Sequence, residues 1–529
     1  MDRRRFLKIG GIGLSGLTVA SCGSDGNGDP APSPSPSPSP NPSPGPDPVE
    51  IERGIQFAPE TLCLTPGSTT EELNLNWYSD ITVGNLAMVR FIDDRNEIIM
   101  TDGVTSNAST GKRAHKVTVT GLQPDMWYRY SVSNDGINWS YEYSYRTPLA
   151  DSFRFVVIGD PQLTAYHTSG TGLQDRTSNE FSYDETTAQG WKDTIAKVGA
   201  LDVDFIAGVG DQVDKTGDGD EQEYRHFMAP PELRSIPWAP SVGNHDRHYP
   251  FRYHYNLPNE LEFNSLLGAA YGNGTNQQYA DIEAAGHYYY LYNNALFVVL
   301  NTSAYPNSKE NAAPFIERFD QTLTAAKEAN AGKYDWIFVQ HHKSTASVAD
   351  HIADLDIQYY VEAGFEELMS THGVDFVLAG HDHVYARSYP MIGKKDGVPS
   401  EPDATKGGAQ IANPNGVIYI TATTGSGLKY YDLYNQSGNL YVKNNEEYPY
   451  LVDGETGSAA YAGENLTAGC SAVAPCSAVG LPPLSNAARQ QAKIPQYTVV
   501  DVEGNTVKFE TFNTYGNTTT SIDSFTVTK

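Results

Sequence analysis

Cysteine is scarce in this chain of 529 residues, which contains four, and no two of them form a Cys-x-x-Cys pair. This argues against a zinc site built from thiolates, which needs closely spaced cysteines. Cys470 and Cys476 lie close together in a loop rich in glycine, alanine and proline, where export from the cell would favour a local disulfide. Cys63 has no evident partner, and we expect it to be a small buried residue.

Positive charge is also in short supply, with 36 lysines and arginines against 64 aspartates and glutamates and a net charge of -28 at pH 7. A protein that binds a phosphate backbone needs a basic face, so we expect no nucleic-acid partner. The 39% share of hydrophobic residues is typical of a soluble globular protein, and the length allows two or three domains.

The start of the chain lacks a long apolar run. The stretch from Ile9 to Ala20 is too short and too rich in glycine to span a membrane well, which favours a removable signal. The residues before it, Asp2-Arg3-Arg4-Arg5-Phe6-Leu7-Lys8, resemble a twin-arginine export signal. Residues 1–22 end in Val19-Ala20-Ser21-Cys22, which resembles a bacterial lipobox and implies that Cys22 is lipidated and begins the mature protein.

We therefore predict an exported lipoprotein in the cell envelope or periplasm, or at the cell surface, that meets a membrane only through an anchor at Cys22. An ordinary signal with a chance cysteine is the alternative. Residues 23–50 are rich in proline and serine and are predicted to form an extended linker.

From residue 51 to 149, short alternating segments such as Leu73-Asn74-Leu75-Asn76-Trp77-Tyr78 are separated by turn residues, which predicts an all-β sandwich. The segment Gly121-Leu122-Gln123-Pro124-Asp125, followed by Trp127-Tyr128-Arg129-Tyr130, resembles the strand-turn-strand signature of a fibronectin type III module. We expect this domain to pack against or position another domain, since nothing in it indicates catalysis.

From residue 150 to 529, apolar strand patterns end in polar residues, and helical patterns lie between them. This order predicts an α/β layered domain, completed by alternating strands near the C terminus. Ligands gather at the carboxyl ends of the strands in such sheets. Polar candidates stand at five of these predicted ends: Asp160; Asp211; Asn244 and His245; His341 and His342; His381 and His383.

These candidates offer carboxylate, amide and imidazole donors, a mixture that suits iron, manganese or zinc. Asp211 can bridge two cations, and His381 and His383 can serve neighbouring ions from one loop. Two ions ~3.5–4 Å apart can hold both the attacking and the leaving oxygen of an in-line displacement. The pattern therefore predicts two divalent or trivalent metal ions and phosphoester hydrolysis.

Five short motifs, taken in order, resemble the calcineurin-like metallophosphoesterase superfamily: Gly159-Asp160, Gly210-Asp211-Gln212-Val213-Asp214, Gly243-Asn244-His245-Asp246, His341-His342 and Gly380-His381-Asp382-His383. The preceding fibronectin-like domain and the segment Val384-Tyr385-Ala386-Arg387-Ser388 are most similar to its purple acid phosphatase branch. The resemblance implies a layered β-sheet sandwich flanked by helices.

The resemblance also implies the roles of individual residues. The first ion would be held by Asp160, Asp211 and His383, and the second by Asp211, Asn244, His341 and His381. Either His341 or His342 could be the ligand of the pair; we expect His341, with His342 as a catalytic residue beside His245 and His351. A solvated residue at a helix start is the alternative for His351.

Two positions depart from the related proteins. Gln162 replaces the histidine that many of them carry two residues after the first aspartate, and Asp214 replaces the tyrosine that colours purple acid phosphatases. Gln162, Asp214 or Tyr166 would have to complete the first metal site, and the tyrosinate–iron bond should be absent. The alternative for Asp214 is that it is a structural residue at a strand end and binds no metal.

The resulting expectation is a dinuclear phosphatase that hydrolyses small phosphomonoesters by attack of a metal-bound hydroxide. A phosphodiesterase or nucleotidase is the alternative within the enzyme class, because the same site can serve either. A lipoprotein that binds ligands without turnover is the alternative of another class. Oligomeric state is not predicted.

Overall fold

The computed structural model describes residues 54–108, 111–163, 188–214, 220–246, 250–266, 283–349, 351, 354–393, 400–427, 429–431, 486–490 and 494–529. The predicted signal and linker, Tyr166 and the cysteine pair Cys470 and Cys476 lie outside these residues. Within them, no helix combines the length and the apolarity needed to cross a membrane.

The first domain is a sandwich of two four-stranded antiparallel sheets, with strand orders β1-β2-β6-β5 and β4-β3-β7-β8. Its described strands are β1 (Glu60–Pro66), β2 (Glu72–Asp80), β3 (Met88–Asp93), β4 (Ile98–Asp102), β5 (Val104–Asn107), β6 (Lys112–Thr120), β7 (Trp127–Ser133) and β8 (Tyr143–Arg146). Trp77, Phe91 and Tyr130 are fully buried between the sheets. The prediction of an all-β domain is confirmed.

Cys63, on β1, is buried, and this burial raises the pKa of its thiol to about 12.

The second domain contains two seven-stranded mixed sheets, with strand orders β11-β10-β9-β22-β23-β24-β19 and β12-β13-β14-β15-β20-β16-β21. Its described strands are β9 (Ser152–Ile158), β10 (Phe205–Gly208), β11 (Trp238–Pro240), β12 (Tyr288–Tyr292), β13 (Ala295–Val299), β14 (Trp336–Lys343), β15 (Phe376–Gly380), β16 (Tyr385–Ser388), β17 (Met391–Ile392), β18 (Glu401–Pro402), β19 (Gln410–Ala412), β20 (Ile418–Thr421), β21 (Asn486–Gln490), β22 (Gln496–Glu503), β23 (Thr506–Tyr515) and β24 (Thr518–Thr528). Strands β17 and β18 form a separate hairpin.

The described helices are α1 (Gln189–Gly199), α2 (Asp220–Phe227), α3 (Pro250–His254), α4 (Lys309–Ala329), α5 (Leu355–Glu362) and α6 (Phe365–His372), with short 3-10 turns at Pro231–Arg234 and Ala404–Lys406. Side-chain alternation explains where they pack. On β9, Phe155 faces the opposite sheet, whereas Val156 faces the outer cluster that contains residues of α1. On β14, Phe338 faces inward and Val339 faces the outer cluster that contains residues of α4. The predicted α/β layered sandwich flanked by helices is confirmed.

Aromatic side chains fill the space between the two sheets. Phe297 stacks on Tyr290 and Phe338, with ring centroids 4.9 and 4.8 Å apart, and meets Phe155 and Phe205 edge-on at 5.3 Å. Such pairs add about 0.5–1.5 kcal/mol each to the stabilisation from burial. This packed centre keeps the sheets in a defined relation to each other.

The two sheets meet at the carboxyl ends of their parallel strands. Gly159, after β9, forms a parallel bridge with Thr424, after β20, and accepts a hydrogen bond of 2.7 Å from the Gly425 N–H. Below this point, Nε2 of Gln340 lies 2.8 Å from the carbonyl oxygens of both Gly208 and Ala239 in the opposite sheet. These contacts bring the strand ends of both sheets to one edge of the sandwich.

The first domain is fixed to the second by specific contacts. His254 stacks between Tyr78 and Tyr224 and pairs with Glu221 at 2.9 Å. The Tyr130 hydroxyl donates to the Arg234 carbonyl at 2.6 Å. These contacts support the expected packing role of the first domain.

Candidate metal centre

The candidate side chains come from the loops at the shared carboxyl edge. Each loop turns sharply, and several of its residues adopt positive φ angles although they are not glycine: Asp160 (43°), Gln162 (36°), Asp211 (51°), His381 (73°) and His383 (48°). Such conformations cost about 1–3 kcal/mol each and persist where the surrounding structure enforces them. Their concentration here indicates a functional site.

Three glycines allow the loops to approach one another. A Cβ atom on Gly243 would lie 2.1 Å from the Asp211 carboxylate, and one on Gly380 would lie 2.4 Å from that of Asp160. A Cβ atom on Gly210 would lie 2.4 Å from Nδ1 of His342. Any side chain at these positions would displace a candidate ligand.

Asp211 lies at the centre of the cluster and is almost completely buried. Its Oδ1 accepts a 2.8 Å hydrogen bond from the backbone N–H of His245, and its Oδ2 lies 3.1 Å from Nε2 of Gln162. Burial alone would raise the pKa of Asp211, but His342 and His245 together lower it below the ordinary value. The carboxylate therefore stays charged.

His342 is held with one ring nitrogen and presents the other to the cluster. Its Nδ1–H donates to the Val209 carbonyl at 2.9 Å, and its Nε2 lies 3.0 Å from Oδ1 of Asn244 and 3.3 Å from Oδ2 of Asp211. Metal-bound histidines show this arrangement, because the bond to the carbonyl fixes the tautomer. Burial lowers the pKa of His342, yet the nearby carboxylates outweigh burial and raise it to about 9.

His381 completes this half of the cluster. Its Nδ1 lies 3.1 Å from Nε2 of His342, and candidate ligand atoms of His381, His342 and Asp211 all lie within 4.8 Å of one another. Burial and the neighbouring cationic groups, His351 first among them, hold the pKa of His381 well below its ordinary value. The neutral ring can therefore act as a ligand.

Asp160 and His383 form the other half. Nδ1–H of His383 donates to the Lys429 carbonyl at 2.8 Å, and its Nε2 lies 3.4 Å from Oδ1 of Asp160. Both carboxylate oxygens of Asp160 accept from the His381 N–H at 3.0 Å. His383 thus repeats the arrangement of His342, with a carbonyl on one nitrogen and a carboxylate beside the other.

His341, the expected ligand of the histidine pair, faces away from this cluster. Its ring packs edge-on against Phe365 of α6, with centroids 4.9 Å apart, and neither ring nitrogen has a partner among the described residues. Burial and the neighbouring His342 lower the pKa of His341 to about 3. Successive residues of β14 point to opposite faces, so the His342 ring lies among the candidate donors, whereas the His341 ring, which we expected to be the ligand, lies on the other face.

His245 lies beside the cluster and is partly exposed. Its Nδ1–H donates to the backbone carbonyl of Asp214 at 2.5 Å, and the Asp214 carboxylate lies 3.5 Å away. Burial raises the pKa of Asp214, although His245 and Lys429 oppose the rise. Asp214 therefore orients His245, and the structure does not bring its carboxylate into the group around Asp211.

His351 reaches the site from the loop after β14. Its N–H donates to Asp382 at 2.8 Å, and its Nδ1–H donates to the Asp354 carboxylate at 2.8 Å. Its ring stacks on His381, with centroids 4.0 Å apart. His351 is thus held by two carboxylates at the edge of the cluster.

Two residues to which the sequence analysis gave no role support the site. Asp246 accepts hydrogen bonds from the N–H groups of Gly243 at 2.9 Å and Gln212 at 3.1 Å, so it ties two ligand loops together. Gln340 joins the sheets directly beneath them. The sequence signal for Gln340 was a polar residue on the inward face of an otherwise apolar strand.

The donor set fits metal ions of intermediate hardness. Two carboxylates, one amide and three imidazoles converge, and all except Asn244 are almost fully buried. A buried cluster of this kind is expected to hold a cation, since paired or coordinated charges are the rule inside proteins. Oxygen and imidazole together suit iron, manganese or zinc.

Comparison with known proteins agrees with this geometry. Residues 153–385 match the calcineurin-like phosphoesterase family model, and residues 59–147 match that of the purple acid phosphatase N-terminal domain. Uncharacterized proteins of two Mycobacterium tuberculosis strains, CDC 1551 and H37Rv, are each 23% identical to this chain over 417 residues, which is 74% of this chain and 72% of the relative.

Among solved structures, a purple acid phosphatase from yellow lupin (Lupinus luteus) seeds superposes with a TM-score of 0.57 at 15% identity, covering 89% of this chain and 74% of that chain. This likeness supports the same fold. The two family matches identify a calcineurin-like phosphoesterase domain at residues 153–385, preceded by a purple acid phosphatase N-terminal domain at residues 59–147.

Proposed function

We propose that this protein hydrolyses small phosphomonoesters at a centre of two metal ions. The observation that carries the proposal is the number of candidate donors that contact Asp211. Its carboxylate lies 3.3 Å from Nε2 of His342 and 3.1 Å from Nε2 of Gln162, and its backbone carbonyl accepts from the Gln162 N–H at 2.8 Å. The family match establishes a phosphoesterase domain, and the ester class and number of ions are our inference.

We assign the first ion to Asp160, Asp211 and His383, and the second to Asp211, Asn244, His342 and His381. Gln162 completes the first site in this assignment. Its side chain is almost completely buried, and its Oε1 has no hydrogen-bond partner within the described ranges. When bound, such ions polarise a phosphate oxygen and lower the pKa of a coordinated water to about 7.

His245 is placed to bind the phosphate. Because Asp214 accepts from Nδ1–H, the tautomer of His245 is fixed and Nε2 is directed away from that contact. A protonated Nε2 would donate to a phosphate oxygen and stabilise the charge that develops there.

His351 is placed to assist departure of the leaving group. The Asp354 carboxylate accepts from Nδ1–H, which orients the His351 ring. When Nε2 carries a proton, transfer of that proton to the departing oxygen would avoid release of an alkoxide, an effect typically worth about 10²–10⁴-fold in rate.

Removal of metal tests the proposed function directly. Chelation should abolish hydrolysis of p-nitrophenyl phosphate, and addition of iron, manganese or zinc should restore it. Bis-p-nitrophenyl phosphate assayed under the same conditions separates the ester classes, because a faster diester reaction would indicate a phosphodiesterase. If the metal-loaded protein hydrolysed neither ester, the proposal would be wrong and a binding lipoprotein would be favoured.

The histidine pair supplies a matched test of the ligand assignment, since both rings are buried on the same strand. His342→Ala should remove the second ion and lower kcat by more than about 100-fold, because it removes a ligand rather than a supporting residue. His341→Ala should keep both ions and lose about 1–3 kcal/mol of folding stability through lost packing. Metal content, measured by plasma mass spectrometry, distinguishes the two variants.

Gln162→Ala extends this test to the first site. It should lower the affinity for the first ion about 10–100-fold and leave the second ion in place. The assignment fails if His341→Ala loses an ion that His342→Ala retains, or if Gln162→Ala binds both ions as tightly as the wild type.

We also propose that the exported chain is anchored by a lipid at Cys22 in the cell envelope, a proposal that rests on the sequence of residues 1–22 alone. The mass of the N-terminal peptide of the protein purified from its native membrane should show diacylglyceryl modification of Cys22. A mature chain that starts elsewhere without lipid would exclude the anchor.

A further inference from the structure

The loop that follows β20 returns to the metal centre and contacts His383 twice. The Thr423 hydroxyl donates to the His383 carbonyl at 2.7 Å, and the Lys429 carbonyl accepts from Nδ1–H of the His383 ring at 2.8 Å. The backbone of Lys429 is thus tied directly to a candidate ligand. Its side chain therefore starts from a defined position beside His383.

Tyr431 determines where that side chain lies. The Lys429 ammonium lies 5.1 Å from the centroid of the Tyr431 ring, within the range of a cation–π contact. The same ring lies 4.7 Å from His351 and 5.0 Å from His383, and it packs on a small apolar cluster that contains Val348. The Lys429 ammonium therefore contacts the same aromatic ring that packs against both His351 and His383.

The Lys429 ammonium also acts on the His245 side, since its charge opposes the rise in the pKa of Asp214 that burial causes. Within the described ranges it has no carboxylate at salt-bridge distance, although the chain carries 64 acidic residues. Lys343, the residue after His342, is different. Its ammonium bonds the Asp356 carboxylate and the Ala304 carbonyl and lies 3.3 Å from the Tyr305 ring centroid.

We propose that Lys429 is a specificity residue that pairs with the second negative charge of a phosphomonoester, so that the site favours monoesters over diesters. This inference rests on the proposed function and names the substrate class that the site selects. A monoester carries a charge of about −1.5 to −2 at pH 7 and three terminal oxygens. A diester has a single charge and only two terminal oxygens, because a second organic group replaces the third.

The partly buried position of Lys429 makes such a pair effective. A hydrogen bond between charged groups is roughly twice as strong as one between neutral groups, and partial exclusion of water strengthens it further. A diester would place its second organic group, which is uncharged, next to the ammonium. Lys429 therefore favours the monoester through an ion pair and disfavours the diester because the ammonium would have no anionic partner.

The test compares kcat/KM for p-nitrophenyl phosphate and bis-p-nitrophenyl phosphate in metal-loaded wild-type protein, Lys429→Met and Lys429→Arg. Lys429→Met should lower the value for the monoester about tenfold or more and change that for the diester less than about threefold. Lys429→Arg, which keeps the charge, should retain most of the preference. Lys333→Met, at an exposed lysine distant in sequence from the site loops, is the matched control and should change neither value.

Binding of inorganic phosphate separates failure of this inference from failure of the proposed function. Calorimetry should show about tenfold weaker phosphate binding to metal-loaded Lys429→Met than to wild type, with the same metal content, even if neither ester is hydrolysed. An equal loss of kcat/KM for both esters in Lys429→Met would overturn the proposal, because it would show that Lys429 only supports the loop. Unchanged phosphate affinity in Lys429→Met would likewise overturn the proposal.

Discussion

The structure depends on keeping one carboxylate, that of Asp211, charged inside the protein. A buried carboxylate is costly unless charges or hydrogen bonds compensate it. Here the His342 ring lies 3.3 Å away and the His245 N–H donates directly to the carboxylate, and together they outweigh the penalty of burial. In the function we propose, bound cations would complete that compensation.

The convergence of donors on Asp211 also places a requirement on the fold. Asp160, Asp211 and Asn244 follow strands of one sheet, whereas His342 lies on a strand of the other sheet and His381 follows its neighbour. The donors can meet only if both sheets end at the same edge. The aromatic layer around Phe297, the Gln340 bridge and the Gly159–Thr424 contact maintain that alignment. Close approach of the loops then depends on glycines that no larger residue could replace.

Much of this arrangement could be predicted from the sequence, because apolar runs that end in Asp, Asn or His signal strand ends, and parallel strands bring their ends together. Alternation along β14 also predicts which ring of the histidine pair lies among the other donors, since Trp336 and Phe338 share an inward face with position 342. Lys429 and Tyr431 could not be found in this way. They follow no motif, and their position depends on long-range contacts between the β20 loop and His383. The orienting role of Asp214 likewise depends on the path of its backbone.

The metal content of Asp211→Asn tests the shared role of this carboxylate most directly. The substitution keeps the size of the side chain and removes the charge that both ions would share. We expect the purified variant, reconstituted with the metal that activates the wild type, to lose both ions and to have a kcat more than about 100-fold below that of the wild type, because a shared ligand matters more than a supporting residue. Retention of two ions per chain with turnover near that of the wild type would contradict that shared role.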